Sequence, residues 1–168
     1  MIPPGDIAIG QNVWQAMGGM EVGSVWGHGS YTAPDWTADW LHREILFILN
    51  DWSQSEFQKT FNDLDKEKQA QLQSRLQTMI RTNTYNPNTN RILVDPVRIR
   101  AFEANLIHYS DIFTNGKQEY AIQKNAINDP IKLRQFAAFI FWSSWAASTN
   151  RPNDTVTYTS NWPHEQLI

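Results

Sequence analysis

Apolar residues recur every three or four positions along much of the chain, which is the spacing of an amphipathic helix. Before residue 81 this pattern predicts three helices, over residues 6–17, 37–52 and 65–80, and Asp6 is the expected N-cap of the first. Their inward-facing positions are Ile9, Val13 and Met17 in the first helix, Leu41, Ile45, Ile48 and Trp52 in the second, and Leu72, Leu76 and Met79 in the third. Each helix therefore has one face for a core and a polar face for solvent.

Two further helices are predicted from a shared start signal, an Asp followed by Pro, after Asp95 and Asp129. The first carries an apolar stripe of Ile99, Phe102, Leu106, Tyr109 and Phe113. The second contains Phe136–Ala147, which is apolar almost all round but too short to cross a bilayer. Such a helix is buried on every side or pressed against another surface. We expect several of its residues, together with Trp162, to form an exposed apolar patch.

The pattern between the third and fourth helices is that of a β-hairpin. Residues 82–85 and 91–94 flank a turn-forming segment, residues 86–90 (Asn-Pro-Asn-Thr-Asn). After residue 148 the chain is rich in Thr, Asn, Pro and Ser and has no helical period. The expected fold class is therefore mostly α with a small β-hairpin insertion, with residues 1–150 as one domain and residues 151–168 as an extended connector.

Charge and hydropathy exclude several classes of partner. The chain has 14 Lys and Arg against 17 Asp and Glu, and the basic residues form no block. We therefore expect no nucleic-acid partner, and no polybasic segment for anionic lipid. The sequence has no run of roughly 18 apolar residues, so no transmembrane helix is predicted within it.

Few residues are suited to catalysis or metal binding. The absence of cysteine excludes disulfides, thiolate metal sites and covalently attached haem. His28, His42, His108 and His164 have no zinc-site spacing, and Gly27–Tyr31 is not a Gly-x-Ser-x-Gly nucleophile motif. A noncovalent b-type haem held by His and Met stays an alternative, with Met17, Met20 and Met79 as candidate ligands. Methionine at helical spacing is more often core filler.

Eight tryptophans in 168 residues are a high number. Tryptophan suits places where an apolar body meets a polar edge, so a free-standing, aromatic-rich ligand-binding module is a second alternative. Such a module would gather several tryptophans in one open cleft, whereas a tryptophan-rich core would bury them together.

Several segments, taken together, resemble quinol-dependent, single-chain nitric oxide reductases. These segments are residues 10–19 (GQNVWQAMGG), 27–31 (GHGSY), 33–44 (APDWTADWLHRE), 81–85 (RTNTY), 142–152 (WSSWAASTNRP) and 158–165 (YTSNWPHE). The resemblance implies a cytochrome c-like domain without haem, lying at the periplasmic face of the cell membrane between the first two transmembrane helices. Residues 151–168 would then lead towards a transmembrane helix.

The resemblance also implies which domain of the parent enzyme carries out the chemistry. The parent, a member of the heme-copper oxidase superfamily that acts in denitrification, reduces two NO to N2O with electrons from quinol. Its haem b, haem b3 and non-haem iron lie in the transmembrane catalytic domain of the same chain, which is the expected partner. This domain would hold no catalytic residue and no cofactor, would accept no electrons from a soluble cytochrome, and would cap the membrane domain.

The resemblance extends to a degenerate haem motif. In related two-subunit enzymes Cys-x-x-Cys-His precedes a Gly-x-Gly-x-Tyr-x-Ala-Pro segment, which matches residues 27–34 here. The same spacing places the haem motif on Gly19, Met20, Glu21, Val22 and Gly23, where both Cys positions and the His position are replaced. Because interiors pack densely, Trp26, Trp36, Trp40 and Tyr31 are expected to fill the space of the lost haem.

Two further expectations follow from the resemblance. Gly29 and Tyr31 match residues whose oxygens help to hold a calcium ion in the related cytochrome, and oxygen ligands suit Ca²⁺. They would form part of a calcium site whose other ligands lie outside this chain. The first helix should cross the helix over residues 129–147, with Val13 or Trp14 against Phe136, Phe139 or Ile140.

Overall fold

The computed structural model describes residues 2–27, 30 and 32–162. Its α-helices are α1 (Asp6–Ala16), α2 (Trp36–Phe57), α3 (Lys66–Arg81), α4 (Pro96–Asn115) and α5 (Pro130–Ser148). The strands β1 (Tyr85–Asn86) and β2 (Arg91–Ile92) pair antiparallel, and short 3-10 helices span Gly19–Val22, Phe61–Asp63 and Gln118–Tyr120. The expected fold class, mostly α with a small hairpin, is confirmed.

Aspartate side chains start four of the five helices. Asp35, Asp65, Asp95 and Asp129 each accept a hydrogen bond from a backbone N–H in the first turn of α2, α3, α4 and α5. These bonds satisfy amide groups that have no partner within the helix. The expected cap of α1 was wrong, because Gly5 occupies the N-cap in a left-handed conformation and Asp6 lies within the first turn.

The apolar side chains form two core clusters. The first joins α1, α5, most of α4 and the start of α2, and it contains Trp14, Trp36, Trp40, Phe102, Tyr109, Phe113, Phe136 and Ile140. The second joins the rest of α2 to α3 and the start of α4, and it contains Leu41, Ile45, Ile48, Leu49, Leu72, Leu76, Ile80 and Ala101. Helices α2 and α4 therefore belong to both clusters.

Helices α1 and α5 are in close contact, as expected. A Cβ atom built on Gly10 would lie 1.9 Å from the carbonyl oxygen of Gln135, so only glycine allows this approach. One turn later the ring centroids of Trp14 and Phe139 are 5.8 Å apart. The crossing predicted from the sequence is thus confirmed. The expected inward position of Ile9 was wrong: it is 44% exposed, because Gly10 and Trp14 are the α1 residues that face α5.

Helix α5 is the central element of the core rather than a docking face. Every residue from Phe136 to Ser148 is buried except Trp142, which is half-buried. The expected exposed patch along this helix was therefore wrong, because α1, α2 and α4 cover its sides. Trp162, the other residue of that expectation, is half-buried against Gly27.

A buried ion pair lies where the two clusters meet. Nε of Arg98 on α4 donates to Oε1 of Glu44 on α2 at 2.6 Å, and the two side chains are 6% and 0% exposed. The guanidinium also lies 5.2 Å from the ring centroid of Phe141. The expected inward position of Ile99 was wrong: it is 42% exposed, because Arg98 occupies the inward face opposite Glu44.

Residues after α5 turn back on the domain. Asn150 forms an isolated bridge with Thr157, and the backbone N–H of Arg151 donates to the carbonyl oxygen of Val156 at 2.9 Å. The ring of Tyr158 stacks on Trp145 with 5.5 Å between centroids. Among the described residues, no helix has both the length and the apolar character needed to cross a membrane.

Replacing Arg98 by Met should lower the free energy of unfolding by about 3–5 kcal/mol, because Glu44 would be left buried without its cation. Urea unfolding followed by circular dichroism measures this change. Arg100→Met is the matched control, since Arg100 is half-exposed and its pair with Asp51 lies at the surface. That variant should lose at most about 1 kcal/mol. If the two variants lose the same free energy of unfolding, the pair of Arg98 and Glu44 is not a buried ion pair that stabilises the core.

Candidate functional site

The segment that matches the degenerate haem motif forms a tight turn after α1. Gly19–Val22 is a 3-10 helix in which Gly19 is buried, Met20 and Val22 are half-buried and Glu21 is exposed. Gly18 and Gly23, on either side of it, have φ angles of 117° and 134°, a region that side chains other than glycine rarely adopt. Nε1 of Trp14 donates to the carbonyl oxygen of Gly23 at 3.0 Å, which fixes the turn on α1.

Trp36 occupies the space beside Gly23. A Cβ atom at Gly23 would lie 1.9 Å from Nε1 of Trp36, so no side chain fits at this position. The indole nitrogen has no acceptor among the described residues, so packing rather than a hydrogen bond holds the ring in place. Position 23 is where the resemblance places the haem-ligating His. Together with the absence of cysteine, this contact means that the residues present do not fit a covalently attached haem.

Asp35 closes the loop between the turn and α2. Its Oδ2 accepts hydrogen bonds from Oγ of Ser24 at 2.7 Å and from the backbone N–H of Gly27 at 2.8 Å. Its Oδ1 accepts from the backbone N–H of Ala38 at 3.0 Å and so caps α2. The two candidate calcium residues in this loop, Gly29 and Tyr31, lie outside the described residues.

Buried aromatic side chains fill the centre of the first cluster. Trp36 and Trp40 have no exposed surface, which confirms their expected role as core fillers. Trp40 stacks on Tyr109 with 5.3 Å between centroids, and Trp36 lies 5.5 Å from Phe113. Trp26 is only half-buried and lies at the edge of the cluster, where its Nε1 donates to the carbonyl oxygen of Ser143. The remaining expected filler, Tyr31, lies outside the described residues.

A group of titratable side chains lies next to this cluster. Oδ2 of Asp39 accepts hydrogen bonds from the Tyr109 hydroxyl at 2.6 Å and from Nε of Arg43 at 2.9 Å. Burial, reinforced by Asp39, raises the pKa of Tyr109 well above its ordinary value. Burial and the charge of Arg43 lower the pKa of His108. The phenol therefore stays protonated and ties α4 to α2, which is a structural role.

Sequence reasoning missed this group. The four-residue spacing of Asp39 and Arg43 is a local signal for a helical ion pair. Nothing in the sequence pattern connects either of them to Tyr109, which is 70 residues further along.

The candidate haem and metal ligands do not converge. Met17 and Met20 pack on the first core cluster and Met79 packs on the second. His42 is exposed, and His28 and His164 lie outside the described residues. Among residues 2–27, 30 and 32–162, no group of three or more His, Cys, Asp and Glu side chains could hold a metal ion.

Tryptophans do not line the surface cleft that the structure describes. This cleft has a volume of about 530 Å³, and its described lining contains side chains such as Arg81, Asn83 and Arg151 but no tryptophan. An aromatic-rich binding module would place several tryptophans in such a cleft. The arrangement therefore favours tryptophan as a core residue over tryptophan as a ligand-stacking residue.

Gly23→Ala should destabilise the chain by about 1–3 kcal/mol more than Gly18→Ala. Both substitutions impose an unfavourable positive φ, but only position 23 also collides with Trp36. At position 18 the nearest atom, Cγ1 of Val22, would be 3.5 Å away, which is ordinary contact. Urea unfolding followed by circular dichroism gives both free energies, and equal values would show that Trp36 does not close position 23.

Residues 2–164 match the family model of the NorB cytochrome c-like domain of nitric oxide reductase. No match is found among curated proteins. The family match covers nearly the whole chain and agrees with the mostly helical fold and with the segments of the sequence that resemble nitric oxide reductases. The chain therefore belongs to the family of NorB cytochrome c-like domains of nitric oxide reductases.

Proposed function

We propose that this chain is a structural, extracytoplasmic domain of a single-chain, quinol-dependent nitric oxide reductase and holds no haem and no catalytic centre. The observation that carries the proposal is the contact between Trp36 and Gly23, which leaves no room for a haem ligand at position 23. The absence of cysteine supports it, because two thiols are needed for covalent attachment of haem. Without a haem, the domain offers no entry for electrons from a soluble cytochrome.

The parent enzyme would draw its electrons from quinol within the membrane. In this proposal the reduction of two NO to N2O takes place in the transmembrane domain of the same chain, where haem b, haem b3 and non-haem iron supply the redox chemistry. The residues described here would stabilise and cover that domain at its periplasmic face. Oxygen atoms of Gly29 and Tyr31 would complete a calcium site there, since such ligands suit Ca²⁺.

Three half-buried tryptophans support a docking role. Trp26, Trp142 and Trp162, here called the tryptophan edge, are half-buried. The other five tryptophans are buried: Trp14, Trp36, Trp40, Trp52 and Trp145.

The three side chains of the tryptophan edge lie close together. The ring centroids of Trp26 and Trp142 are 5.5 Å apart, and the indole of Trp162 packs against Gly27, the residue next to Trp26. Tryptophan suits the boundary between lipid and water because its body is apolar and its edge is polar. We therefore propose that this edge faces the membrane domain.

A haem titration tests the first part of the proposal. Haem added to the purified 168-residue chain should give no sharp Soret band that saturates at one haem per chain, because Trp36 and Trp40 fill the core. The same titration of the urea-unfolded chain controls for nonspecific haem binding. A saturable band at equal stoichiometry in the folded chain would contradict the haemless domain and favour a b-type haem protein.

Thiol labelling can measure docking, because a cysteine introduced into these 168 residues is the only one among them. Ser160→Cys places a thiol on an exposed position two residues before Trp162, and Ser74→Cys places one on the exposed face of α3. Maleimide should label both thiols readily in the 168-residue chain. In the complete reductase, labelling at position 160 should slow severalfold while labelling at position 74 should not change. Unchanged labelling at both positions would contradict docking through the tryptophan edge.

A further inference from the structure

Within the part of the chain that the structure describes, three arginines have no carboxylate partner. Arg43, Arg75, Arg98, Arg100 and Arg134 each form an ion pair with Asp or Glu. Among the described residues, Arg81, Arg91 and Arg151 form none. Two of these lie next to one another, because the backbone N–H of Asn150 donates to the carbonyl oxygen of Arg81 at 3.0 Å. Positive charge is therefore left uncompensated where the end of α3 meets the end of α5.

Arg81 and Arg151 both line the cleft of about 530 Å³. Asp154 is the single carboxylate in its described lining, and its Oδ1 already accepts hydrogen bonds from the backbone N–H groups of Thr155 and Val156. The lining thus carries two guanidinium groups against one carboxylate, which favours an anionic ligand.

The walls of the cleft are held by the core. Oγ1 of Thr149 donates to the carbonyl oxygen of Ile80 at 3.0 Å, and Nδ2 of Asn83 donates to the carbonyl oxygen of Asn150 at 2.8 Å. The cleft is therefore preformed and offers two cations for an anion.

Exposed apolar side chains lie beside the cleft. Tyr85, which lines it, and Tyr158, whose hydroxyl accepts a hydrogen bond from Asn83, are each 40% exposed. Leu93 is 79% exposed, and its backbone N–H donates to the carbonyl oxygen of Thr84, the residue before Tyr85. Tyrosine is enriched where a protein surface meets the boundary of a membrane.

We propose that this cleft binds the headgroup of an anionic glycerophospholipid. The guanidinium groups of Arg81 and Arg151 bind the phosphodiester oxygens, as guanidinium suits phosphate geometry. The proposal rests on the membrane-facing position proposed above. The cleft adjoins the segment that leads to Trp162, since Nη2 of Arg151 lies 3.4 Å from Oγ of Ser160.

The net negative charge of the chain means that binding to an anionic lipid surface requires a local basic site. At −3 the whole molecule is repelled by an anionic surface, so binding to one requires a local site. Arg81 and Arg151 are 70 positions apart, so the sequence has no basic block that would predict the site. Only the fold brings the two arginines together.

Vesicle flotation with the purified 168-residue chain tests the proposal. The chain should float with vesicles of phosphatidylcholine containing phosphatidylglycerol and should stay behind with pure phosphatidylcholine. Arg81→Gln combined with Arg151→Gln should weaken vesicle binding about twenty-five-fold, or about fivefold for each arginine. Arg100→Gln is the matched control for the single variants Arg81→Gln and Arg151→Gln, because it removes the same charge from a surface ion pair with Asp51 and should change binding little. Circular dichroism checks that every variant is folded.

Three results would overturn the proposal. If Arg100→Gln weakens vesicle binding as much as Arg81→Gln, general charge and not the cleft is responsible. If inorganic phosphate binds to the chain in calorimetry but vesicles do not, the ligand is free phosphate and not lipid. If no vesicle is bound at all, the lipid site is absent. In each case protection of the thiol at position 160 in the complete reductase can still be observed, so failure here is distinguishable from failure of the docking role.

Discussion

The buried ion pair between Glu44 and Arg98 determines how helices α2 and α4 pack against each other. Hydrophobic contacts are non-directional and tolerate small shifts of one helix along another. The 2.6 Å contact between Glu44 and Arg98 does not, because either group alone would be buried and uncompensated. Trp40 lies one turn before Glu44 on α2, and its stack on Tyr109 of α4 depends on the same register. The aromatic filling of the first core thus relies on an ion pair at its boundary.

Much of the helical architecture is predictable because its signals are local. Asp95 and Asp129 announce the starts of α4 and α5, and each caps its helix as the sequence indicates. Ile99 shows the limit of such reasoning, because hydrophobic periodicity assigns it inwards while Arg98 takes that place. A charged residue can be assigned to the core only when its partner is known, and Glu44 lies on another helix. The burial of α5 could not be predicted from the sequence either, because it depends on how many neighbouring helices surround this helix.

The candidate site also has features that the sequence predicts and features that only the fold shows. The resemblance to a haem-binding family, with its motif spacing, points to Gly23 as the position of the haem ligand, but only the fold shows Trp36 packed against it. Glycine at this position has a physical reason that no sequence pattern reveals. The cleft between the ends of α3 and α5 is a stronger case, since Arg81 and Arg151 become neighbours only through backbone pairing after both helices are placed. Local signals thus predict elements, whereas the contents of a site depend on contacts between elements.

The turns that follow α5 have a consequence for how the domain responds to force. Asn150 is hydrogen-bonded to the end of α3, while residues 151–162 are held by turn contacts, by Tyr158 against Trp145 and Asn83, and by Trp162 against Gly27. Tension applied to the chain beyond residue 162 loads these contacts first, and once they break, the straightened segment spans at most about 40 Å. Only then does the load reach Asn150, where it is shared between two helices. If a structure attached at this end of the domain moves, residues 151–162 can therefore extend before the core is strained.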